Sequence, residues 1–288
     1  MRIINKIVPG NFNLFCFGDD HEGARARHKK GWDQLIDMIN SEYSGVKTNF
    51  GIDHGDIVEA VSVDHPHYDG VSTEGNIYHQ MQQAKRNRMS IRKKLITILD
   101  GNHPMRFWKF FGPNKPALTE VVCNDLGVKF GGLVCVINYL NKDGSRMFSH
   151  FLAHKGSGGS MNSVADDPKR RSANIKLSLK RKLKGKVGDC LLMTCGHYHK
   201  LIYCEPESEL YMTNTGSDLK GKYTGPRKSH GYIHPDYRHY LCCGSFHRTY
   251  GIDYDTYAEA AGYDPVELGF FVVRIRDRQI AGIDKILI

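Results

Sequence analysis

Two kinds of feature are missing from this chain of 288 residues. No apolar run approaches the roughly 20 residues that a membrane-spanning helix needs, and the N-terminus has no apolar segment of the signal-peptide type. The eight cysteines are scattered without a C-x-x-C pair, which excludes a zinc-ribbon or thioredoxin-like motif. Buried free thiols in a reducing compartment are the simplest interpretation, so we expect a cytoplasmic protein.

Internal repeats and low-complexity linkers are also lacking, so we expect residues 1–288 to form one domain. Apolar runs that end in polar residues predict strands, among them "FNLFCFG", "VKTNFGID", "LITILDGNH", "DCLLMTC" and "ELYMTNTGS". Alternating runs around "NKDG" predict a hairpin, and the C-terminus predicts a strand pair.

Helices are predicted between these strands. Apolar residues at helical spacing from Trp32 to Ile39 predict an amphipathic helix, and the basic segments 79–94 and 169–186 predict two more. Residues 57–78 have the composition of a long loop. Loop and helix insertions are expected near 57–94, 155–186 and 217–250.

Charge is the next feature, because 40 Lys and Arg residues against 31 Asp and Glu give a net charge of +9. The two basic segments favour a polyanionic partner, although either could be a solvated helix face. Downstream, "GKYTGPRKSHGYIHPDYRHYLCCGSFHRTYG" interleaves aromatic and basic residues. That pattern suits stacking on unpaired bases, and a packed loop explains it equally well.

Residue types that bind metals follow five of the apolar runs in order. They are Asp19-x-His21, Gly55-Asp56, Gly101-Asn102-His103, His154 and Gly196-His197-x-His199. Ligands of open-sheet enzymes gather outside the carboxyl ends of strands, so we expect these side chains to meet.

This series resembles the calcineurin-like metallophosphoesterases, nearest to their DNA-repair exonuclease and phosphodiesterase branch. The resemblance implies an α/β fold, a β-sandwich of two mixed sheets flanked by helices in four αββα layers. "TNTGS" resembles the Asn-Pro-Gly-Ser strand end of several branches. "GDIVEA" lacks the Asp-Arg-Gly continuation of the protein Ser/Thr phosphatases, which argues against that branch.

The resemblance also implies two divalent metal ions, with Mn²⁺ favoured and Fe, Zn or Ni as alternatives. The first ion would be held by Asp19, His21, Asp56 and His199, and the second by Asp56, Asn102, His154 and His197. Such a pair holds both sides of a phosphoryl displacement, and a bridging water becomes hydroxide near neutral pH. Asn102 suits the site as a neutral oxygen ligand. With only two carboxylates among the ligands, the metal pair keeps a net positive charge.

His103 has a different expected role, near the leaving oxygen as a general acid or phosphate contact. Glu59 could supply the carboxylate that orients it, or could be a solvated loop residue. Pro104 replaces the acidic residue common at that position and predicts that His103 avoids the α region. Lys155, inserted before Gly156, and Arg106 are expected substrate contacts.

The predicted function is therefore a phosphodiesterase or nuclease that acts on nucleic acid, with DNA favoured. A phosphomonoesterase or small-nucleotide phosphodiesterase on the same scaffold is the alternative. A non-catalytic nucleic-acid-binding relative is a third possibility, and the complete ligand set argues against it.

Overall fold

The computed structural model describes residues 1–64, 68, 70, 73–108, 116–225, 231–253, 259 and 262–288. Two six-stranded sheets, each with parallel and antiparallel neighbours, dominate these residues. In spatial order the first sheet contains β1 (Arg2–Ile7), β6 (Val134–Leu140), β7 (Arg146–Ala153), β8 (Leu192–Cys195), β12 (His239–Cys243) and β9 (Leu201–Cys204). The second contains β14 (Gln279–Leu287), β13 (Gly269–Arg276), β2 (Phe12–Phe17), β3 (Asn49–Asp53), β4 (Leu95–Leu99) and β5 (Lys129–Gly132).

Helices cover the outer face of each sheet. On the second sheet lie α1 (Lys29–Asn40), α2 (Ile77–Arg88) and α4 (Leu118–Leu126), while α5 (Pro168–Leu183) packs on the first sheet. One apolar cluster lies between the sheets, a second lies under α1, α2 and α4, and a third lies under α5. Three apolar layers separate four structural layers, which confirms the predicted αββα sandwich.

The elements follow from the sequence pattern. Strand β2 is buried along its whole length because one face meets the other sheet and the other face meets helices. Trp32, Leu35 and Ile39 form the buried stripe of α1, as their spacing predicts. Asp167 accepts the Arg170 N–H and caps α5, whose first residue is a proline. The Asp-Gly turn joins β6 to β7, and β13 pairs with β14, so both predicted hairpins are confirmed.

The two basic helices have different bounds from those that the sequence predicts. The basic segment 79–94 is helical from Ile77 to Arg88 and continues as a short 3₁₀ turn over Met89–Ile91. The second basic helix ends at Leu183. Part of the loop predicted for 57–78 lies outside the described residues (65–67, 69, 71 and 72).

The "TNTGS" strand end is the main correction. It belongs to an exposed hairpin of β10 (Leu210–Asn214) and β11 (Leu219–Tyr223), which pairs with neither large sheet in the described part of the chain. Another Gly-Ser pair, Gly244-Ser245, follows β12 in the first sheet, where the Ser245 hydroxyl donates to the Asp19 carbonyl at 3.1 Å. Both segments have a Gly-Ser pair after a strand, and they differ in sheet pairing and burial.

Strand direction places the site. Strands β2, β3 and β4 are parallel neighbours in one sheet, and β7, β8 and β12 are parallel neighbours in the other. Their carboxyl ends therefore open onto one edge of the sandwich. Within the described ranges, no helix has the length and apolar character needed to cross a bilayer.

Candidate metal centre

The predicted ligands meet at this edge of the sandwich. They form one group of Asp19, His21 and His199 and another of Asp56, His154 and His197, with Asn102 at the second. Five of these residues adopt positive φ angles of 48° to 69°, which non-glycine residues rarely do: Asp19, His21, Asp56, His197 and His199. Strained backbone of this kind persists only where the surroundings enforce it, typically at functional sites.

In the first cluster, the ligand atoms face one another. His21 Nε2 lies 3.2 Å from His199 Nε2, which in turn lies 3.7 Å from Asp19 Oδ1. The second oxygen of Asp19 accepts the His197 N–H at 2.8 Å. Within the described ranges, the buried Oδ1 has no hydrogen-bond partner. A cation would satisfy this oxygen and both facing nitrogens at once.

The second cluster surrounds the Asn102 side-chain oxygen. His197 Nδ1 lies 2.7 Å and His154 Nε2 2.9 Å from Asn102 Oδ1, and His154 Nε2 also lies 3.2 Å from Asp56 Oδ2. The His154 Nδ1–H donates to the His54 carbonyl at 2.7 Å, so Nε2 is the nitrogen that faces the cluster. This arrangement of the opposite ring nitrogen is typical of metal-binding histidines.

Asp56 lies between the two clusters. Its Oδ2 is 3.9 Å from His21 Nε2 and 3.2 Å from His154 Nε2, while Oδ1 accepts the His103 backbone N–H at 2.9 Å. Gly101 makes the approach possible, since a Cβ there would lie only 2.0 Å from Asp56 Oδ1. One carboxylate is thus shared by two groups of metal-binding side chains.

The pKa values of the two buried carboxyls, Asp56 and Asp19, are shifted in opposite directions. Burial disfavours an ionised Asp56, but His154, with His103 and His21, outweighs it and holds the Asp56 pKa well below its usual value. Burial would lower the His154 pKa, and Asp56 overcomes it and raises that pKa to about 9. Asp19 differs, because burial raises its pKa well above the usual value. The mixed carboxylate, amide and imidazole set fits divalent cations.

Glu59 is where the structure departs from the predicted role. Its carboxylate oxygen Oε2 lies 2.7 Å from His21 Nδ1 but 3.6 Å from His103 Nδ1. His103 instead donates its Nδ1–H to the Glu59 main-chain carbonyl at 2.6 Å. The acceptor that orients His103 is therefore a carbonyl, and the carboxylate contacts a predicted metal ligand.

Pro104 also behaves differently from the prediction. His103 lies within a short helical turn, α3 (Asn102–Met105), where the Met105 N–H donates to the Gly101 carbonyl. A proline is tolerated there because N–H groups in the first turn of a helix have no intrahelical acceptor. The expected avoidance of the α region is overridden.

The two predicted substrate contacts lie at the rim. Arg106 Nη2 is 3.4 Å from His103 Nε2, and Nη1 is buried without a hydrogen-bond partner among the described residues. Lys155 is exposed, and its charge helps to lower the pKa of His197, after burial and His154, to about 4. Both cations are near the clusters.

His247 is a rim residue that the sequence interpretation missed. Its ring centroid lies 5.1 Å from that of His21 and 5.8 Å from that of His199. The His247 N–H donates to Ser245 Oγ, and the Arg248 N–H donates to the Ala26 carbonyl, which holds this segment against the first motif. The sequence pattern could have indicated it, since His247 follows an apolar run and a Gly-Ser pair, as the predicted ligands follow their strands.

The two basic segments differ in what they offer to solvent. In the first, Arg88 is buried against Asp20 and Asp53, and Lys85 pairs with Asp125. In the second, Lys182 is buried and Lys180 pairs with Asp236, but six basic side chains are exposed: Lys169, Arg170, Arg171, Arg181, Lys184 and Lys186.

The aromatic and basic segment downstream is partly buried and partly exposed where it is described, with Tyr223 and Tyr232 exposed. Arg238 is buried and donates to the Ile233 and Gly188 carbonyls, and Tyr240 is buried in the core under α5. Residues 226–230 lie outside the described residues.

No protein-family model and no curated protein matches the chain. Among solved structures, it is similar to a protein from Streptococcus pneumoniae TIGR4 described as a predicted phosphoesterase, with 11% identity, a TM-score of 0.32, and coverage of 98% of this chain and 100% of that one. NAD nucleotidase of Haemophilus influenzae has 11% identity and a TM-score of 0.40 over 96% of this chain, which spans 50% of that protein. Nuclease MPE of Pseudomonas putida has 10% identity and a TM-score of 0.31, with coverage of 95% and 87%.

At these TM-scores, the likeness does not indicate what this chain acts on. The fold itself is an αββα sandwich of two mixed sheets with flanking helices, and the guide to activity is the site itself.

Proposed function

We propose that this chain is a metal-dependent phosphoester hydrolase, specifically a phosphodiesterase or nuclease that acts on nucleic acid. One observation carries the proposal: the Asp56 carboxylate lies between two clusters of metal-binding side chains at the carboxyl ends of parallel strands. A dinuclear centre needs a shared ligand in this position.

The side chains of each cluster would hold one divalent cation, for which Mn²⁺ is our first choice. Asp19, His21 and His199 would hold the first ion, and Asn102, His154 and His197 the second, with Asp56 common to both. When bound, the cations would provide Lewis acidity toward the phosphoryl group and a water-derived nucleophile at neutral pH.

His103 would act as the general acid that protonates the leaving group. Its Nδ1–H is donated to the Glu59 carbonyl, so Nε2 is the nitrogen that would take a proton from solvent and give it to the leaving oxygen. Arg106 Nη2 lies 3.4 Å from this Nε2, and that contact would be exchanged for a phosphoryl oxygen when substrate binds, together with Nη1. Lys155 adds a second positive charge at the rim.

Nucleic acid is our choice of substrate because of the exposed basic residues on and after α5. They form the larger exposed basic group of the two segments, and phosphate contacts supply most of the affinity for a polyanion. A small substrate would need only the rim cations Arg106 and Lys155.

The test is a panel of substrates incubated with Mn²⁺-loaded protein. It contains labelled single- and double-stranded DNA, labelled RNA, p-nitrophenyl phosphate and bis(p-nitrophenyl) phosphate. We expect hydrolysis of the bis ester and of a nucleic acid. Turnover of the monoester alone would support a phosphomonoesterase, and no turnover of any substrate would contradict the enzyme proposal.

A further inference from the structure

We infer that Glu59 is a positioning residue with two separate functions: its carboxylate fixes the metal ligand His21, and its main-chain carbonyl fixes His103. The inference rests on the proposed function, because it concerns the same metal centre. The Glu59 side chain then supports metal binding through His21 and takes no part in protonating the leaving group.

The carboxylate contact is direct. Glu59 Oε2 lies 2.7 Å from His21 Nδ1, and the two side chains are 15% and 2% exposed. An Nδ1–H donated to the carboxylate leaves Nε2 unprotonated, and Nε2 is the atom that faces His199 Nε2 and Asp56 Oδ2. A carboxylate behind a metal-binding histidine fixes the ring, selects the tautomer and increases the basicity of the ligand nitrogen.

The carbonyl contact serves the other histidine. His103 Nδ1 is 2.6 Å from the Glu59 carbonyl oxygen, whereas its 3.6 Å separation from Glu59 Oε2 is too long for a hydrogen bond. Since the acceptor belongs to the main chain, a change of side chain at position 59 leaves it in place.

The backbone around Glu59 is held on both sides. The Glu59 N–H donates to the Glu22 carbonyl at 2.9 Å, and the Ala60 N–H donates to Gln80 Oε1 at 3.0 Å. Ala60 has a φ of +49°, and Gln80 is 1% exposed. The direction of the Glu59 carbonyl is therefore set by Glu22, Ala60 and Gln80, independently of its own side chain.

Two variants of Glu59 test this separation. Glu59→Ala removes the carboxylate, and Glu59→Gln keeps an oxygen that can accept the His21 Nδ1–H. Titration calorimetry with Mn²⁺ should show the affinity of one ion weakened about 10- to 100-fold in Glu59→Ala and less in Glu59→Gln. Circular dichroism melting curves of the metal-free proteins check that each variant folds.

A second readout is the dependence of turnover on the leaving group at saturating Mn²⁺, measured with phosphodiesters of graded leaving-group pKa. The slope for Glu59→Ala should match the wild type, because the carbonyl that orients His103 remains. His103→Asn is the matched opposite: it should bind Mn²⁺ like the wild type and lose turnover most severely for poor leaving groups.

Two results would overturn the inference. One is a Glu59→Ala protein that binds both Mn²⁺ ions with wild-type affinity. The other is a Glu59→Ala protein whose turnover falls selectively for poor leaving groups at saturating metal, which would return the carboxylate to His103. A wild-type protein that binds no Mn²⁺ would instead remove the proposed function, and this inference with it.

Discussion

Asp56 is the residue on which both ligand clusters depend, since its Oδ2 faces His21 on one side and His154 on the other. Asp56→Ala should therefore abolish binding of both metal ions and lower phosphodiester turnover by at least about 100-fold. Metal content after Mn²⁺ loading and turnover of bis(p-nitrophenyl) phosphate are the two measurements.

Asp143→Ala is the control, because Asp143 lies in the exposed turn of the β6–β7 hairpin and accepts hydrogen bonds there from Ser145. It should behave like the wild type in both measurements. An Asp56→Ala protein that still holds two Mn²⁺ ions per chain would contradict the shared-ligand role.

Single residues differ in how far the sequence predicts their place. The seven ligand positions come from spacing and from the resemblance, because each follows an apolar strand whose end must lie at the sheet edge. The direction of the Glu59 carboxylate depends on the backbone conformation at Ala60, which no local pattern encodes. The place of His247 depends on the docking of its segment against the first motif, a contact between residues more than 200 positions apart.

Between the two sheets, a chain of buried hydrogen bonds joins β6, β7, β8 and the turn after β3. Tyr139 OH lies 3.3 Å from His150 Nδ1, His150 Nε2 lies 2.8 Å from Thr194 Oγ1, and Thr194 Oγ1 lies 2.6 Å from His54 Nε2. At its end, His54 Nδ1 lies 3.0 Å from the Phe17 carbonyl.

The proton positions in this chain follow from that last carbonyl. A carbonyl can only accept, so His54 carries its proton on Nδ1 and accepts from the Thr194 hydroxyl at Nε2. Thr194 then accepts from His150 Nε2–H, and His150 Nδ1 accepts from Tyr139. Both imidazoles are neutral, in agreement with burial, which lowers the pKa of His54 to about 4 and that of His150 well below its usual value.

Thr194→Val is the sharpest test of this network. The change keeps the shape but leaves the His150 Nε2–H buried without its acceptor and leaves His54 Nε2 only the weak contact with Cys243 Sγ at 3.7 Å, so we expect a loss of about 1–3 kcal/mol in unfolding free energy. Denaturant unfolding measures it, and Thr213→Val in the exposed hairpin should change stability by less than about 0.5 kcal/mol. Equal unfolding free energies of Thr194→Val and the wild type would show that these buried hydrogen bonds contribute nothing to stability.

Elements were predictable where periodicity decides and unpredictable where tertiary pairing decides. The stripe of α1 and the Asp-Gly hairpin are local patterns, and both have the predicted form. Strand β10 has a strand-like sequence, but its only partner in the described sheets is β11, so "TNTGS" lies away from the site. The helical turn at His103 is another case, in which the Asp56 contact to the His103 N–H outweighs the local preference before proline.

At the scale of the whole molecule, we propose that residues 1–288 form one domain. Strand β1 lies in the first sheet and β14 in the second, and side chains of both sheets share one apolar cluster between them. The two sheets also contribute ligands to the same clusters, so neither could form the site alone.

Exposed positive charge on and after α5 leads to a prediction about salt. Replacing Lys169, Arg170 and Arg181 with Gln should weaken binding to single-stranded DNA and flatten the dependence of log affinity on log salt. The slope should decrease by up to about 0.7 for each phosphate that the variant no longer neutralises. Fluorescence anisotropy at several salt concentrations measures both the affinity and the slope.

The control carries Gln at Arg86, Arg92 and Lys93, basic residues of the first segment. It should keep most of the affinity and the wild-type salt slope. If the two sets of replacements have equal effects, the attraction is a property of net charge and not of the α5 surface.

Stability should fall as the pH decreases below about 6.5, because the folded protein contains histidines that resist protonation. Burial lowers the pKa of His239 to about 4 and that of His150 well below its usual value, whereas both would titrate near 6.5 in the unfolded chain. Below that pH, the unfolded state binds protons that the folded state does not, so acid favours unfolding, by about 1.4 kcal/mol per pH unit for each such histidine. His239→Asn, which also removes the 2.8 Å hydrogen bond with the Tyr203 hydroxyl, should be less stable at neutral pH yet show a shallower decline between about pH 6.5 and 4.5. Urea unfolding at intervals of half a pH unit measures the slopes, and parallel curves for variant and wild type would refute the role of His239.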